Sequence, residues 1–312
     1  EYEKLEEGLA RLTSYADLTY AADQADPDIA KFYQGIQERV NGISSLTLFF
    51  TLELNRLDDA ALDAKLADKA LARWAPWLRD LRSFRPHQLS DDIEKLLHEK
   101  YVAGRAAWTR LFDETMAGLR FDLDGKKLTS AEVFHLLSDR DGKVRKAAAK
   151  AAGKTLGDNA RLFALITNTL IKDKEIEDKW RRHPRPISSR NLANRVEDAV
   201  VEALVGAVRA SYPKLSHRYY ALKARWFGAD KLDYWDRNAP LPQADEESFD
   251  WGRARDTVID AYADFSKDMA ATGRRFFDNA WIDAGVRPGK APGAFAHPTV
   301  PGAHPYLLLN YH

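Results

Sequence analysis

At 312 residues, 45% hydrophobic and 30% charged, the sequence is long enough for one or two globular domains and too apolar for wholesale disorder. Lysine plus arginine and aspartate plus glutamate each total 47, so the formal net charge is zero and implies neither nucleic acid nor a membrane as partner. The absence of cysteine removes disulfides, thiolate catalysis and cysteine-ligated zinc, and fits a reducing compartment, so a cytoplasmic setting is the expectation.

The chain opens "EYEKLEEGLARL", charged and helical in pattern, without an initiator methionine or a signal-peptide core. It is expected to be the interior of a longer protein. "SSLTLFFTLEL" (44–54) is too short and too polar at its edges to cross a bilayer. Residues 1–118 predict a run of helices with short breakers. Asp26-Pro27 gives a stop and a restart, after which Ile29, Phe32, Tyr33 and Ile36 share one face. Arg85-Pro86 divides two further helices, and Ser90 is a plausible N-cap ahead of two acids.

A change of character is expected near residue 119, dividing a helical N-terminal lobe (1–118) from a second region (119–312). Phe121 and Leu123 alternate with polar residues, Asp124-Gly125 signals a turn and Leu128 follows, which predicts a small hairpin. Thr129 and Glu132 then form a capping box. Helices resume. Val200, Val201, Leu204, Val205 and Val208 predict a buried face ended by Pro213, and further helices are expected over 251–262 and 269–281. The fold class expected is mainly α: a multi-helix bundle lobe, then a helical region with a small β-sheet near the C-terminal end.

Several stretches could carry chemistry. The single His-Glu pair, His98-Glu99, is followed one turn later by Val102, so it fails the HExxH zinc pattern. His297 and His304 precede prolines seven residues apart and make a weak ligand set. "DLDGKKLTSAE" and "SDRDGKVRKAA" place glycine too early for a calcium loop, so both read as turns. "KWRRHPRPISSR" (179–190) carries five basic residues and no acid. It reads as a solvated loop, with a cationic wall for a carboxylate or phosphate as the sharper alternative. "SHRYYALKARWFG" and "DYWDRNAPLP" crowd aromatics with cations, which more often serves packing than a ligand box.

The final stretch, "GKAPGAFAHPTVPGAHPYLLLNYH" (289–312), departs from the helical pattern. "GAFAH" is small enough for another backbone to approach, and "HPYLLLNY" carries proline only at its start. A small sheet with an open outer strand holds extended peptides through main-chain hydrogen bonds. The plain alternative is a structural hairpin.

"RYYALKARWFGADKLDYWDRNAPLP" and "FFDNAWIDAGVRPGKAPGAFAHPTVPGAHPYLLLNY" resemble the oligoendopeptidase F group of zinc metallopeptidases, relatives of thimet oligopeptidase. "TSAEVFHLLSDRDGKVRKAAAKA" and "YADLTYAADQADPDIAKFYQGIQERV" are similar to the group's helical portions, so the resemblance covers essentially the whole chain. It implies a bowl-shaped, mostly helical enzyme with a small sheet at the lip of its channel, which cuts short oligopeptides. Zinc, held by an HExxH helix and a downstream glutamate, would activate water, and later His and Tyr residues would stabilise the oxyanion.

In that family the zinc helix follows the LLNY strand. The expectation is therefore that the zinc ligands and the catalytic base lie beyond residue 312, leaving no catalytic residue or metal ligand in this chain. Residues 119–312 would be the first part of the catalytic domain, inactive alone, with the C-terminal catalytic segment as a partner. By the same resemblance Gly293, Ala294, Phe295, Ala296, His304 and Tyr306 would line the cleft, through backbone groups at Gly293, Ala294 and Ala296. The alternative is a non-catalytic helical peptide-binding or scaffold module.

Overall fold

The computed structural model describes residues 1–242 and 248–311; His312, which ends the stretch quoted above, lies outside them. The first helices are α1 (Tyr2–Ala22), α2 (Pro27–Arg56), α3 (Asp59–Leu66), α4 (Ala75–Ser83), α5 (Asp91–Lys100) and α6 (Arg105–Gly118). Strands β1 (Phe121–Leu123) and β2 (Lys126–Leu128) come next, followed by α7 (Ser130–His135), α8 (Gly142–Asp158), α9 (Ala160–Trp180), α10 (Ser188–Ala193) and α11 (Asp198–Ser211). The last part holds α12 (Ser216–Trp226), α13 (Trp251–Phe265), α14 (Lys267–Asp278), β3 (Ile282–Gly285), β4 (Phe295–His297) and β5 (Tyr306–Tyr311). The fold is mainly helical with small sheets, as expected. No helix among the described residues is long and apolar enough to cross a membrane.

The chain forms two compact units: Glu1–Ile36, Asp113–Ala160 and Arg218–His312 make the first, Gln37–Phe112 and Arg161–His217 the second. These interleave along the sequence, unlike the division into 1–118 and 119–312, which stays a proposal about folding domains. The change of character near residue 119 is where α6 gives way to the hairpin.

In the first unit the hairpin seeds a core. Asp124 and Gly125 both have positive φ, 51° and 82°, as a two-residue turn matched to strand twist requires. Phe121 is thereby aimed inward, where it is fully buried with Val133 and Ala148 and packs with Ala152. The capping box forms as expected: Thr129 Oγ1 accepts from the Glu132 amide, and Glu132 Oε2 accepts from the Thr129 amide at 2.7 Å. Arg145, 3% exposed, donates to Asp236 through Nε (2.9 Å) and Nη2 (2.6 Å) and to the carbonyls of Asp139 and Arg140. A buried guanidinium so fully partnered ties α8 to the turn at Tyr234–Asp236.

The second unit is held by arginines that collect carbonyls. Arg82 donates to Leu54, Asn55 and Leu57, closing the end of α2 where helix carbonyls lack partners. Arg181 makes a two-pronged contact with Glu94 at 2.8 and 2.9 Å and also meets Glu177. Burial would raise the Glu94 carboxyl, but Arg181 and the Leu89 amide more than reverse this and hold it below the usual range. Ser90 occupies the N-cap of α5 without a side-chain bond; Glu94 instead reaches back to the Leu89 amide.

One expectation is corrected in this unit, and the alternative reading of the basic run loses two of its five cations. The apolar stripe of α11 is not buried: Val200, Leu204, Val205 and Val208 are exposed, and no residue of α11 is buried. Helical spacing gathers apolar residues on one face but does not supply the element that covers it. The basic run 179–190 is not a free cationic wall. Arg181 is committed to Glu94 and Glu177, and Arg185 to Asp198 and Glu202.

Within the same run His183 stacks on His87 with ring centroids 3.9 Å apart, and its Nδ1 is buried without a partner. Burial, then His87, lowers the His183 pKa, with Asp178 opposing and Lys174 and Arg181 reinforcing the shift.

Two outcomes are expected. Phe121→Ala removes a fully buried ring and should cost about 3–5 kcal/mol, read by urea unfolding. Unfolded, His183 takes up a proton near its ordinary value of 6.5, which the folded chain resists, so stability should fall as pH drops below that value. His183→Gln should flatten this decline in urea midpoints between about pH 7 and pH 5, and an unaltered slope would refute it.

Candidate functional site

The C-terminal sheet of the first unit has the order β3-β5-β4, with β3 parallel and β4 antiparallel to the central β5. In β4, Phe295, Ala296 and His297 stand opposite Leu308, Leu307 and Tyr306. The amide of Leu307 donates to the Trp281 carbonyl on the β3 side at 2.9 Å. Main-chain groups alternate in direction along a strand, so Tyr306 and Leu308 face β4, and Phe295 and His297 answer them. Ala296, between them, turns its N–H and C=O outward, away from β5, and its side chain is exposed. Among the described residues the outer edge of β4 therefore presents the main-chain N–H and C=O of Ala296 without a strand partner.

The segment leading into β4 is fixed from three directions. Gly289 has φ +84°, and a Cβ there would collide with the Asp23 carboxylate, so the position demands glycine. Its carbonyl accepts from the Gln24 amide (2.7 Å), while the Ala291 amide donates to Ala21 O (2.9 Å), one of the unpartnered carbonyls at the end of α1. Asn310 Nδ2 donates to the carbonyls of Ala291 and Gly293, both at 2.9 Å. Gly293, at φ +82°, turns the chain into β4, and a Cβ there would meet open space. Phe295 then packs on Ala21, Ala291 and Leu308.

The six residues expected to line a cleft do not share one place. Gly293, Ala294 and Ala296 are exposed along the outer edge, and Phe295 is turned into the packing beneath it. His304 and Tyr306 line a separate cavity of about 590 Å³, together with Trp281, Ile282, Val300 and Leu308 of the sheet region and Leu18 of α1. His304 lies flat on Trp281, centroids 3.7 Å apart and planes within 5°, and Tyr306 meets it edge-on. Two residues in the left-handed region border this cavity, Ala280 (φ 55°) and Thr299 (φ 58°), and Thr299 Oγ1 donates to the His304 carbonyl at 2.9 Å. Leu308 is buried, so only Leu307 and Leu309 of the leucine run are partly open.

His297 anchors β4 to α1: its Nε2 is 3.0 Å from Ser14 Oγ. Burial raises the pKa of nearby Asp17, with His297 and a hydrogen bond from Tyr33 acting against the rise. Sequence reasoning missed Ser14 and Asp17, because nothing in α1 marks them as neighbours of a strand some 280 residues away. A second cleft of about 760 Å³ has a floor of Ala149, Ala152 and Ala224 and walls of Tyr220, Tyr234 and Trp235. The aromatic-cationic stretch serves packing through Lys223, which is buried and donates to Arg237 O at 2.8 Å, while its aromatic neighbours line the cleft.

Among the described residues no three His, Asp or Glu stand close enough together to hold a metal ion. The three histidines weighed as ligands are otherwise engaged: His98 with Ser44 at 2.8 Å, His297 with Ser14, His304 with Trp281. These residues do not fit the zinc that the resemblance implies.

The family model described as Oligopeptidase F matches residues 53–121. Oligopeptidase PepF of Bacillus subtilis is 25% identical over 322 residues, covering 99% of this chain and 47% of its own length. Group B oligopeptidase PepB of Streptococcus agalactiae is 26% identical, covering 94% of this chain and 50% of its own length. Among solved structures, oligoendopeptidase-F from Enterococcus faecium superposes with a TM-score of 0.70 at 21% identity, over 90% of this chain and 53% of that one. An oligoendopeptidase F from Bacillus anthracis gives 0.74 at 17% identity, over 95% and 53%. The chain spans about half the length of the curated relatives it matches. The chain is thus similar to oligopeptidases along nearly its whole length, and it shares the mainly helical fold of the oligoendopeptidase F structures.

Proposed function

We propose that these residues are the peptide-docking part of an oligoendopeptidase that hydrolyses short peptides, with the edge of β4 as the docking ledge. The observation that carries this reading is the outward N–H and C=O of Ala296 on an exposed edge strand, entered through Gly293, where no side chain obstructs approach. An extended peptide adding to that edge gains main-chain hydrogen bonds irrespective of its sequence, which suits an enzyme of broad specificity. Ala294 and Ala296 would offer backbone contacts, Gly293 would contribute through the part of its backbone that Asn310 does not hold, and Phe295 would hold the strand from beneath. His304 and Tyr306, a short loop away, would border the peptide where it leaves the strand.

Zinc belongs to this proposal as a group bound by polypeptide outside the described residues, where it would supply the activated water; the ledge's part is to bind and orient the peptide. Peptides would be the partners in a cytoplasmic setting, with no role for nucleic acid or membrane.

Ala296→Pro is the direct test, because proline deletes the outward N–H and leaves the bonds to β5 in place. Thermal stability should stay near wild type, while a short unstructured peptide should bind with a Kd roughly 2- to 10-fold weaker, the worth of one hydrogen bond. Unchanged affinity in calorimetric titration would remove the ledge from the mechanism. Supplied with zinc, the 312-residue chain is expected to cleave no quenched-fluorescent peptide. Cleavage with one zinc bound per chain would put the metal site within these residues and defeat that part of the reading.

A further inference from the structure

We propose that Lys290 and Asn310 are positioning residues for peptide docking, which hold the backbone from Gly289 to Gly293 so that β4 presents its free edge. The inference rests on the docking reading above.

The side chain of Lys290 has no exposed surface. Its ammonium donates to four oxygens: Asp283 O (3.0 Å), Asp283 Oδ1 (3.0 Å), Gly285 O (2.8 Å) and Leu309 O (2.6 Å). The pairing of β3 with β5 slips between Asp283 and Gly285, so the ammonium sits at the irregularity, where a regular ladder would be interrupted. Three protons shared among four acceptors leave no tolerance for a neutral replacement, which would strand carbonyls in a buried place. Arg287 grips the same Asp283 carboxylate at 2.8 and 2.6 Å. Its hydrogen bonds, with those from Lys290, overcome burial and lower the Asp283 pKa, so the carboxylate is a steady anchor for the ammonium.

The consequence falls on β4. That strand is three residues long, Phe295–His297, too short to define its own register. Its entry is set by Lys290, fixed to β3 and β5, and by Asn310, whose single amide nitrogen holds the carbonyls of Ala291 and Gly293. Lys290 ties the approach segment to β3 and β5, and Asn310 ties it to β5, so both bonds lie on the inner side of β4 and leave the outer edge unencumbered. If either is lost, the main-chain groups at Ala296 no longer stand at the spacing an incoming strand requires.

The test uses the whole chain with Lys290→Met and, in case a buried thioether proves too disruptive, the near-isosteric Asn310→Asp. Three quantities are read: amide hydrogen exchange at 293–297, exchange in α8 as a control, and the Kd of a fluorescein-labelled unstructured octapeptide. Each variant should exchange about tenfold faster at 293–297 and bind the peptide about tenfold more weakly, with α8 unchanged. In Lys290→Ala, added propylammonium should restore affinity where sodium does not, which loss of packing alone would not give.

Wild-type exchange at 293–297 and wild-type affinity in both variants would overturn the proposal. So would equal acceleration in α8, which assigns the two residues to global stability. If the wild-type chain binds no peptide, the docking reading fails and the docking role with it, while faster exchange at 293–297 alone would still uphold the hold on β4.

Discussion

β5 takes β3 on one side and β4 on the other, and the pairing on both flanks constrains everything around it. A central strand commits its main-chain groups in both directions, so any irregularity on one flank leaves carbonyls that need a donor. The slip beside Gly285 is such an irregularity, and Lys290 brings an ammonium to it from the neighbouring loop. The loop can reach because Gly289 allows the chain to pass tight against Asp23 at the end of α1. The G-K-x-x-G-A-F spacing then has a cause at most positions: glycine for close approach, lysine for the slip, glycine for the turn into β4, phenylalanine for the underside of the sheet.

Charge is handled by the same local logic throughout. A net charge of zero says nothing about where the charges lie, and the buried ones are closed individually. Arg145 is answered by Asp236 and two carbonyls, Arg181 by Glu94 and Glu177, and Lys290 by Asp283 and three carbonyls. Lys223 is the exception in kind: it donates to the Arg237 carbonyl and not to a carboxylate, and burial together with Arg145 lowers its pKa. Such fully satisfied networks fix geometry, because leaving out a partner costs more than the pair contributes in net terms.

Three features were readable at short range because their causes lie within a few residues. The hairpin follows from Asp124-Gly125 alone, since only that kind of dipeptide accepts two positive φ angles in succession. The capping box needs only Thr129 and Glu132. A strand-forming C-terminal stretch follows from its glycines, prolines and leucine run. The six candidate residues were also drawn from one stretch, yet they separate into an outer edge and a cavity wall. Direction in a strand is set by its partner's register, and that register depends on Trp281 and α1, far off in sequence.

Helical periodicity, turn chemistry and motif spacing thus belong to the chain as written, being steric and hydrogen-bonding preferences of neighbouring residues. Which apolar face is covered, which arginine meets which acid, and which edge of the sheet stays open were beyond such reading. The bare stripe of α11 and the pairs Arg181–Glu94 and Arg185–Glu202 are the clearest instances. The stripe is decided by which elements pack on it and the pairs by residues 87 and 17 positions apart, and no local preference encodes a partner at that separation.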